Sequence, residues 1–147
     1  MPVELLRPAT PDDVRGLADW TWLPGLTTHQ PLLVTAFADV VLAGDDGLWF
    51  LSTVEATLER CWDDLDGLRR ALDDVEEQDR FLYAWLAEGA ARRGVEPGPG
   101  QSYAFTIAPV LGGAFEAGNV QVLDTVVALS LTGQLHRQTG TGGTPGW

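Results

Sequence analysis

Two histidines and one cysteine are the side chains of this sequence that most readily bind metals or act as nucleophiles. His29 and His136 lie far apart, and no H-x-x-x-H or H-E-x-x-H spacing places two ligands on one helix face. Cys61 has Arg60 and Asp63 as its nearest charged neighbours, so no base stands beside it in sequence. We interpret the histidines as surface or half-buried residues and Cys61 as a small buried side chain, and we predict no catalytic residue and no metal site.

Two further segments resemble ligand-binding motifs, but their spacing does not match those motifs. The segment 64–67, Asp-x-Asp-Gly, has part of a calcium-loop pattern, but Trp62 and Asp73 occupy the positions of the first ligand and of the bidentate glutamate. The glycines of segment 112–118 lack the G-x-G-x-x-G spacing of a phosphate-binding loop. The chain also contains no lysine, which excludes a Schiff-base or P-loop lysine.

The densest charge lies between positions 63 and 79. Eight acidic and two basic residues leave this segment with a net charge of −6, half of the chain's −12. Such a run is either a solvated helix corner or an electrostatic landing surface for a basic protein, where attraction raises the association rate. The candidate partner-binding residues are Asp63, Asp64, Asp66, Asp73, Asp74, Glu76, Glu77 and Asp79.

The 147-residue chain is 45% hydrophobic and 20% charged, a composition typical of one folded domain. Its net charge of −12 disfavours nucleic acid and anionic membrane as partners, because both attract basic surfaces. One cysteine permits no internal disulfide, and neither a signal-peptide pattern nor a membrane-spanning apolar run is evident. We therefore expect a cytoplasmic protein with a single domain over 1–139 and a flexible Gly/Thr-rich tail over 140–147.

Local patterns in the first half predict a helix followed by strands. Thr10 has the character of an N-cap, with Pro11 at the first helical position, and the helix is expected over about 10–23. Extended segments with strand-forming residues are expected at 31–43, 48–53 and 56–62, with a Gly-Asp-Asp-Gly turn between the first two.

The second half is predicted to be helical, with two further strands. Asp63 and Asp64 open a helix with an apolar stripe of Leu65, Leu68, Leu72 and Val75, and Asp74 caps a helix that continues to Arg93. That second helix is expected to bury Phe81, Leu82, Trp85 and Leu86. Strands are expected at 101–107 and 120–123, and a closing helix at 124–138 with an apolar face of Val126, Val127, Leu129, Leu131 and Leu135. Gly133 inside this helix predicts close packing. The fold class is α+β, a small mainly antiparallel sheet packed with about four helices.

Four short motifs recur in one known family: Tyr-x-Phe at 103–105, Pro-x-Leu-Gly-Gly at 109–113, Gly-Asn-Val at 118–120 and Leu-Thr-Gly-Gln-Leu-His-x-Gln at 131–138. The segment 103–138 resembles the C-terminal domain of Tdi-type type VI secretion immunity proteins, with looser similarity back to residue 31. The resemblance implies an α+β domain with no enzymatic activity and no cofactor. It also implies binding of a cognate toxin, a DNA-degrading one in the type example.

We therefore expect a non-catalytic immunity-type protein that binds and neutralises a cognate basic toxin. Two alternatives remain open on the sequence. A small-molecule-sensing or regulatory domain predicts a deep apolar pocket near Trp49, Trp85 and Tyr103. A hydrolase with paired carboxylates predicts two acids in one cleft with separated pKa values.

Overall fold

A computed structural model describes residues 4–140, so the expected tail lies, apart from Gly140, outside the described residues. Five antiparallel strands follow one another in space as in sequence: β1 (Leu6–Pro8), β2 (Gln30–Thr35), β3 (Val40–Gly44), β4 (Gly47–Ser52) and β5 (Thr57–Trp62). A second antiparallel pair comprises β6 (Gln101–Phe105) and β7 (Val120–Asp124). The helices are α1 (Pro11–Arg15), α2 (Leu65–Ala71), α3 (Val75–Leu82), α4 (Ala84–Arg92) and α5 (Thr125–Thr139). Short 3-10 helices lie at Gly16–Trp20, Leu26–Thr28, Pro109–Leu111 and Ala117–Asn119. The predicted α+β class is confirmed.

The first helix begins where the sequence predicts. The Thr10 hydroxyl accepts a hydrogen bond from the Asp13 amide, and the Asp13 carboxylate accepts one from the Thr10 amide, which is a capping box. The expected α-helix to residue 23 is wrong, because α1 ends at Arg15 and continues as a 3-10 helix to Trp20. Residues three apart eclipse one another in a 3-10 helix, so Leu17 and Trp20 are both buried on one side.

The expected extended segment 31–43 is in fact two antiparallel strands joined by a turn. The Thr35 hydroxyl accepts hydrogen bonds from the amides of Phe37 and Asp39, and Ala38 adopts a positive φ of 62°. No glycine, proline or asparagine marks this turn, so the usual turn signal is missing from the sequence. The Gly-Asp-Asp-Gly turn joins β3 to β4, as predicted. Strands β4 and β5 agree with the strands expected at 48–53 and 56–62.

Segment 63–93 forms three helices where two were expected. Asp64 caps α2 and Asp74 caps α3, but α2 ends before Leu72, so the predicted stripe does not belong to one helix and Val75 is 67% exposed. The predicted continuous helix to Arg93 is broken at Tyr83, whose φ of 51° separates α3 from α4. This break turns Trp85 outward, where it is 44% exposed, contrary to its expected burial.

The five-stranded sheet is covered on both faces. On one face, α5 and the 3-10 helix Gly16–Trp20 pack through a cluster that includes Leu129. On the opposite face, α2 and α3 pack over Phe50 and Trp62. A third cluster joins α4 and the β6–β7 pair around Phe37, next to the turn between β2 and β3. The helices on the two faces therefore present their outer sides to opposite directions.

The closing helix α5 is rotated relative to the predicted apolar face. Its buried residues are Thr125, Ala128, Leu129, Gly133 and His136, whereas Val127 and Leu131 are exposed. The Trp20 indole N–H donates to the Leu129 carbonyl at 2.8 Å, and a Cβ at Gly133 would lie 2.6 Å from the Asp19 carbonyl oxygen. The expected close packing at Gly133 is confirmed, and it outweighs the apolar periodicity.

Two glycines in helix interiors make the packing at Gly133 testable. In Gly133→Ala the new methyl group overlaps the Asp19 carbonyl and the Trp20 ring, so we expect a loss of about 1–3 kcal/mol in the free energy of unfolding. In the matched control Gly89→Ala the methyl group meets Ala117 at an ordinary 3.5 Å, so helix propensity should give a gain of up to about 1 kcal/mol. Denaturant unfolding measures both, and equal effects would contradict the close approach.

Candidate functional site

We call segment 63–79 the acidic corner. In the structure, most of its acidic residues have an intramolecular partner. Three of them bind backbone amides at helix starts: Asp64 accepts from Gly67, Asp74 from Glu76 and Asp79 from Trp85. Three others form ion pairs with arginines: Asp63 with Arg60, Asp66 with Arg69 and Glu77 with Arg80. These pairs are solvent-exposed or nearly so, which limits their contribution to stability. Six of the eight predicted partner-binding residues thus also serve the fold.

The remaining two acids, Asp73 and Glu76, are exposed and have no side-chain hydrogen bond or ion pair with another described residue. They flank Asp74 at the junction of α2 and α3. Their charges are therefore the least neutralised of the acidic corner. A basic partner approaching this junction would meet two carboxylates that have no hydrogen bond or ion pair within the described residues.

A second surface feature is an apolar groove of about 380 Å³ on the opposite side of the sheet from the acidic corner. One side is formed by Leu131 and Leu135 of α5, and the other by Ile107, Val110 and Leu111. Leu131, Ile107 and Leu111 are 52%, 56% and 60% exposed. Tyr103 also lines the groove, but Trp49 and Trp85 do not, so the expected pocket around these three aromatic residues is not formed.

The part of the chain that builds this groove is almost free of charge. Residues 97–136 contain only two charged side chains, Glu116 and Asp124, whereas the whole chain contains 30. Protein interfaces are depleted of charge at their centres and enriched in apolar side chains. This depletion is visible in the sequence, although neither the acidic run nor the helical periodicity indicates it.

Two buried polar side chains meet at Thr53, which lines the groove. The Asp39 carboxylate accepts hydrogen bonds from the Thr53 amide at 2.7 Å and from the Thr53 hydroxyl at 2.6 Å, both through Oδ1. The Nε2 atom of His136 lies 2.7 Å from the Thr53 carbonyl oxygen. Asp39 Oδ2 and His136 Nδ1 are buried without a hydrogen-bond partner among the described residues.

The burial of Asp39 favours its neutral form. Desolvation raises the pKa of this carboxyl from 3.8 to about 7, despite the two hydrogen bonds from Thr53. Since Oδ1 accepts both hydrogen bonds, the proton belongs on the unpartnered Oδ2. Asp39 thus anchors the turn between β4 and β5 through its two hydrogen bonds from Thr53.

His136 is buried, so its interpretation as a surface or half-buried residue is wrong. Burial lowers the pKa of the imidazole, and a carbonyl oxygen can only accept a hydrogen bond, so Nε2 carries the proton of a neutral ring. The ring also lies against Trp20, at 5.7 Å between centroids. His136 therefore connects α5 to the end of β4.

The other candidate residues for chemistry are dispersed. The His29 ring packs edge-on against the Trp49 ring, with 4.7 Å between the ring centroids. Cys61 is half-buried, so its interpretation as a buried side chain is only partly right; desolvation raises the pKa of its thiol, which disfavours the nucleophilic thiolate. Within residues 4–140 no group of three or more histidine, cysteine or acidic side chains is arranged to hold a metal ion.

The raised pKa of Asp39 predicts how stability depends on pH. Between about pH 4 and 7 the folded chain keeps a proton that the unfolded chain releases, so Asp39 lowers the free energy of unfolding as pH rises. Asp39→Asn removes this dependence while keeping an oxygen acceptor for Thr53. The difference between variant and wild type should move in favour of the variant by about 1.4 kcal/mol per pH unit across this window. Urea unfolding at several pH values measures it, and a difference independent of pH would contradict a buried protonated carboxyl.

Comparisons with known proteins bear on these two surfaces. The family model described as T6SS immunity protein Tdi1, C-terminal, matches residues 63–136, which include both the acidic corner and most of the groove. No curated protein matches the chain significantly. The crystal structure of Atu4351 from Agrobacterium tumefaciens is similar in fold, with a TM-score of 0.58 at 15% identity, over 89% of this chain and 67% of that one. Among the described helices, none has both the length and the apolar character needed to cross a membrane.

Proposed function

We propose that this chain, which belongs to the family of the C-terminal domain of the T6SS immunity protein Tdi1, binds a cognate toxin and thereby neutralises it. The observation that carries the proposal is the family match over 63–136, which spans half of the chain. The role is one of binding without catalysis: the chain covers the toxin's active site or holds the toxin inactive. The cytoplasm is the proposed compartment, where the single free Cys61 would stay reduced.

The charge of the chain supports a basic toxin as the partner. A net charge of −12 attracts a positively charged protein and raises its rate of encounter. Nucleases are basic where they bind DNA phosphates, so a DNA-degrading toxin would fit this charge. Within the acidic corner, the unpaired Asp73 and Glu76 are the strongest candidates for this attraction, since the other acids cap helices or pair with arginine.

Co-expression tests the proposed function directly. The toxin-like protein encoded beside this gene is expressed in a sensitive bacterium, with and without the wild-type chain, and growth is followed. We expect the chain to restore growth and to co-purify with a catalytically inactive form of the toxin. Absence of both rescue and co-purification would overturn the proposal.

The acidic corner is tested separately through the rate of association. The double variant Asp73→Asn with Glu76→Gln should slow association with the toxin by roughly two- to fivefold at low ionic strength and flatten its salt dependence. Its fold should be preserved, because neither side chain has a hydrogen bond or ion pair, and the loss of the Glu76 charge from the first turn of α3 costs at most about 1 kcal/mol.

A matched control removes the same charge elsewhere. Glu4 and Glu96 are also exposed and without side-chain hydrogen bonds or ion pairs to other described residues, and neither lies in the acidic corner or lines the groove. Glu4→Gln with Glu96→Gln should therefore change the association rate much less. Equal rates for both double variants, measured by stopped-flow fluorescence, would assign the acidic corner to solubility alone.

A further inference from the structure

We propose that the apolar groove between α5 and residues 106–111 is where the toxin docks, through an apolar side chain flanked by basic residues. This inference rests on the proposed function, and it places the stable contact on the opposite side of the sheet from the acidic corner. The acidic corner then contributes to long-range attraction, whereas the groove supplies the buried contact.

The first ground is the amount of apolar surface left exposed by the fold. Leu131 and Leu135 are four residues apart on α5, so they form adjacent positions on one helix face. Ile107 and Leu111 face them across the groove. A contiguous apolar patch of this kind on a charged protein marks an interaction site. Because both sides of the groove are exposed at their outer edges, a protein segment would cover them better than a small ligand.

The second ground is that the loop opposite α5 is held in shape before any partner binds. The Asn119 side chain donates to the carbonyls of Ile107 and Ala114 and accepts from the Ile107 amide, each at 2.9 Å. The backbone at Gly113 passes so close to Ile107 that a Cβ at 113 would lie 1.7 Å from its carbonyl oxygen. Such preorganisation reduces the entropy lost on binding. The loop is therefore a fixed wall of the groove, and the close backbone approach at position 113 requires a glycine there.

The third ground is the charge at the rim, which identifies the kind of partner. The groove itself contains no charged side chain, but two exposed acids lie near it. Glu55 is close enough to act electrostatically on Asp39, which binds the lining residue Thr53. Glu116 follows Phe115, which packs on the lining residue Phe105 at 5.1 Å. An apolar centre with an acidic rim complements an apolar side chain with basic neighbours. A second copy of this chain would bring like charges together, since each copy carries −12. The rim therefore favours a basic toxin as the occupant.

Substitutions of exposed groove residues test this docking site. In Leu111→Asp and Leu131→Glu a carboxylate replaces an apolar side chain that is more than half exposed, so folding should be preserved. We expect each variant to weaken binding of the inactive toxin by roughly 10- to 100-fold, as at interface hot spots, and to lose rescue of growth. The matched control is Val14→Glu, which introduces the same change at an exposed apolar residue of α1, outside both the acidic corner and the groove, and it should bind within twofold of wild type.

Binding is measured by calorimetry on the full chain, with circular dichroism and melting temperature as checks of folding. Folded groove variants that bind and rescue like wild type would overturn this docking site and leave the proposed function intact. A wild-type chain that neither binds nor rescues would overturn both. A wild-type dimer that Leu131→Glu dissociates, seen by analytical ultracentrifugation, would assign the groove to a second copy and would also overturn the inference.

Discussion

The close approach of α5 to the first 3-10 helix is the contact on which the remaining structure depends. Gly133 leaves room for the Asp19 carbonyl, and the Trp20 indole N–H donates to the carbonyl of Leu129. These contacts fix the rotation of α5 about its own axis. They turn His136 inward, toward Thr53, and leave Leu131 on the outer face. The groove exists because packing, rather than apolar periodicity, decides which face of α5 is buried.

The same helix is tied to the rest of the domain at both ends. Near its start, Thr125 accepts a hydrogen bond from Arg7, which also binds the carboxylate of Asp13, and it lies 2.6 Å from the Ser102 hydroxyl. This network joins β1, α1, β6 and α5. Near its end, His136 binds the carbonyl of Thr53. Both termini of α5 are thus positioned by buried polar contacts, so the exposed face between them has a defined orientation.

Features of the fold that depend on residues close in sequence can be predicted from the sequence, whereas features that depend on tertiary contacts cannot. The cap at Thr10, the hairpin turn at 44–47 and the strands after it were predictable, because each depends on residues close in sequence. The turn at 36–39 and the break at Tyr83 were not, because each places a non-glycine residue at positive φ through tertiary contacts: Phe37 and Tyr83 pack edge-on at 5.3 Å. The rotation of α5 likewise depends on Asp19, which is more than a hundred residues away in sequence.

The acidic corner and the groove likewise differ in how far each can be predicted from the sequence. The acidic corner is evident from composition, but the structure shows that most of its carboxylates cap helices or pair with arginine. Predicting the groove requires knowing which apolar residues remain exposed in the fold, although the scarcity of charge over 97–136 indicates a surface of this kind. In the proposed function, charge serves the encounter with a basic toxin, and the exposed apolar surface serves the lasting contact.

Hydrogen–deuterium exchange of the wild-type chain, with and without the inactive toxin, tests most directly whether the toxin docks in the groove and not on the acidic corner. We expect binding to slow exchange in the loop 106–118 and in the helix turns around Leu131, and to leave the junction of α2 and α3 nearly unchanged. Protection confined to residues 63–79, with the groove exchanging as in the free chain, would contradict the assignment of the docking site to the groove.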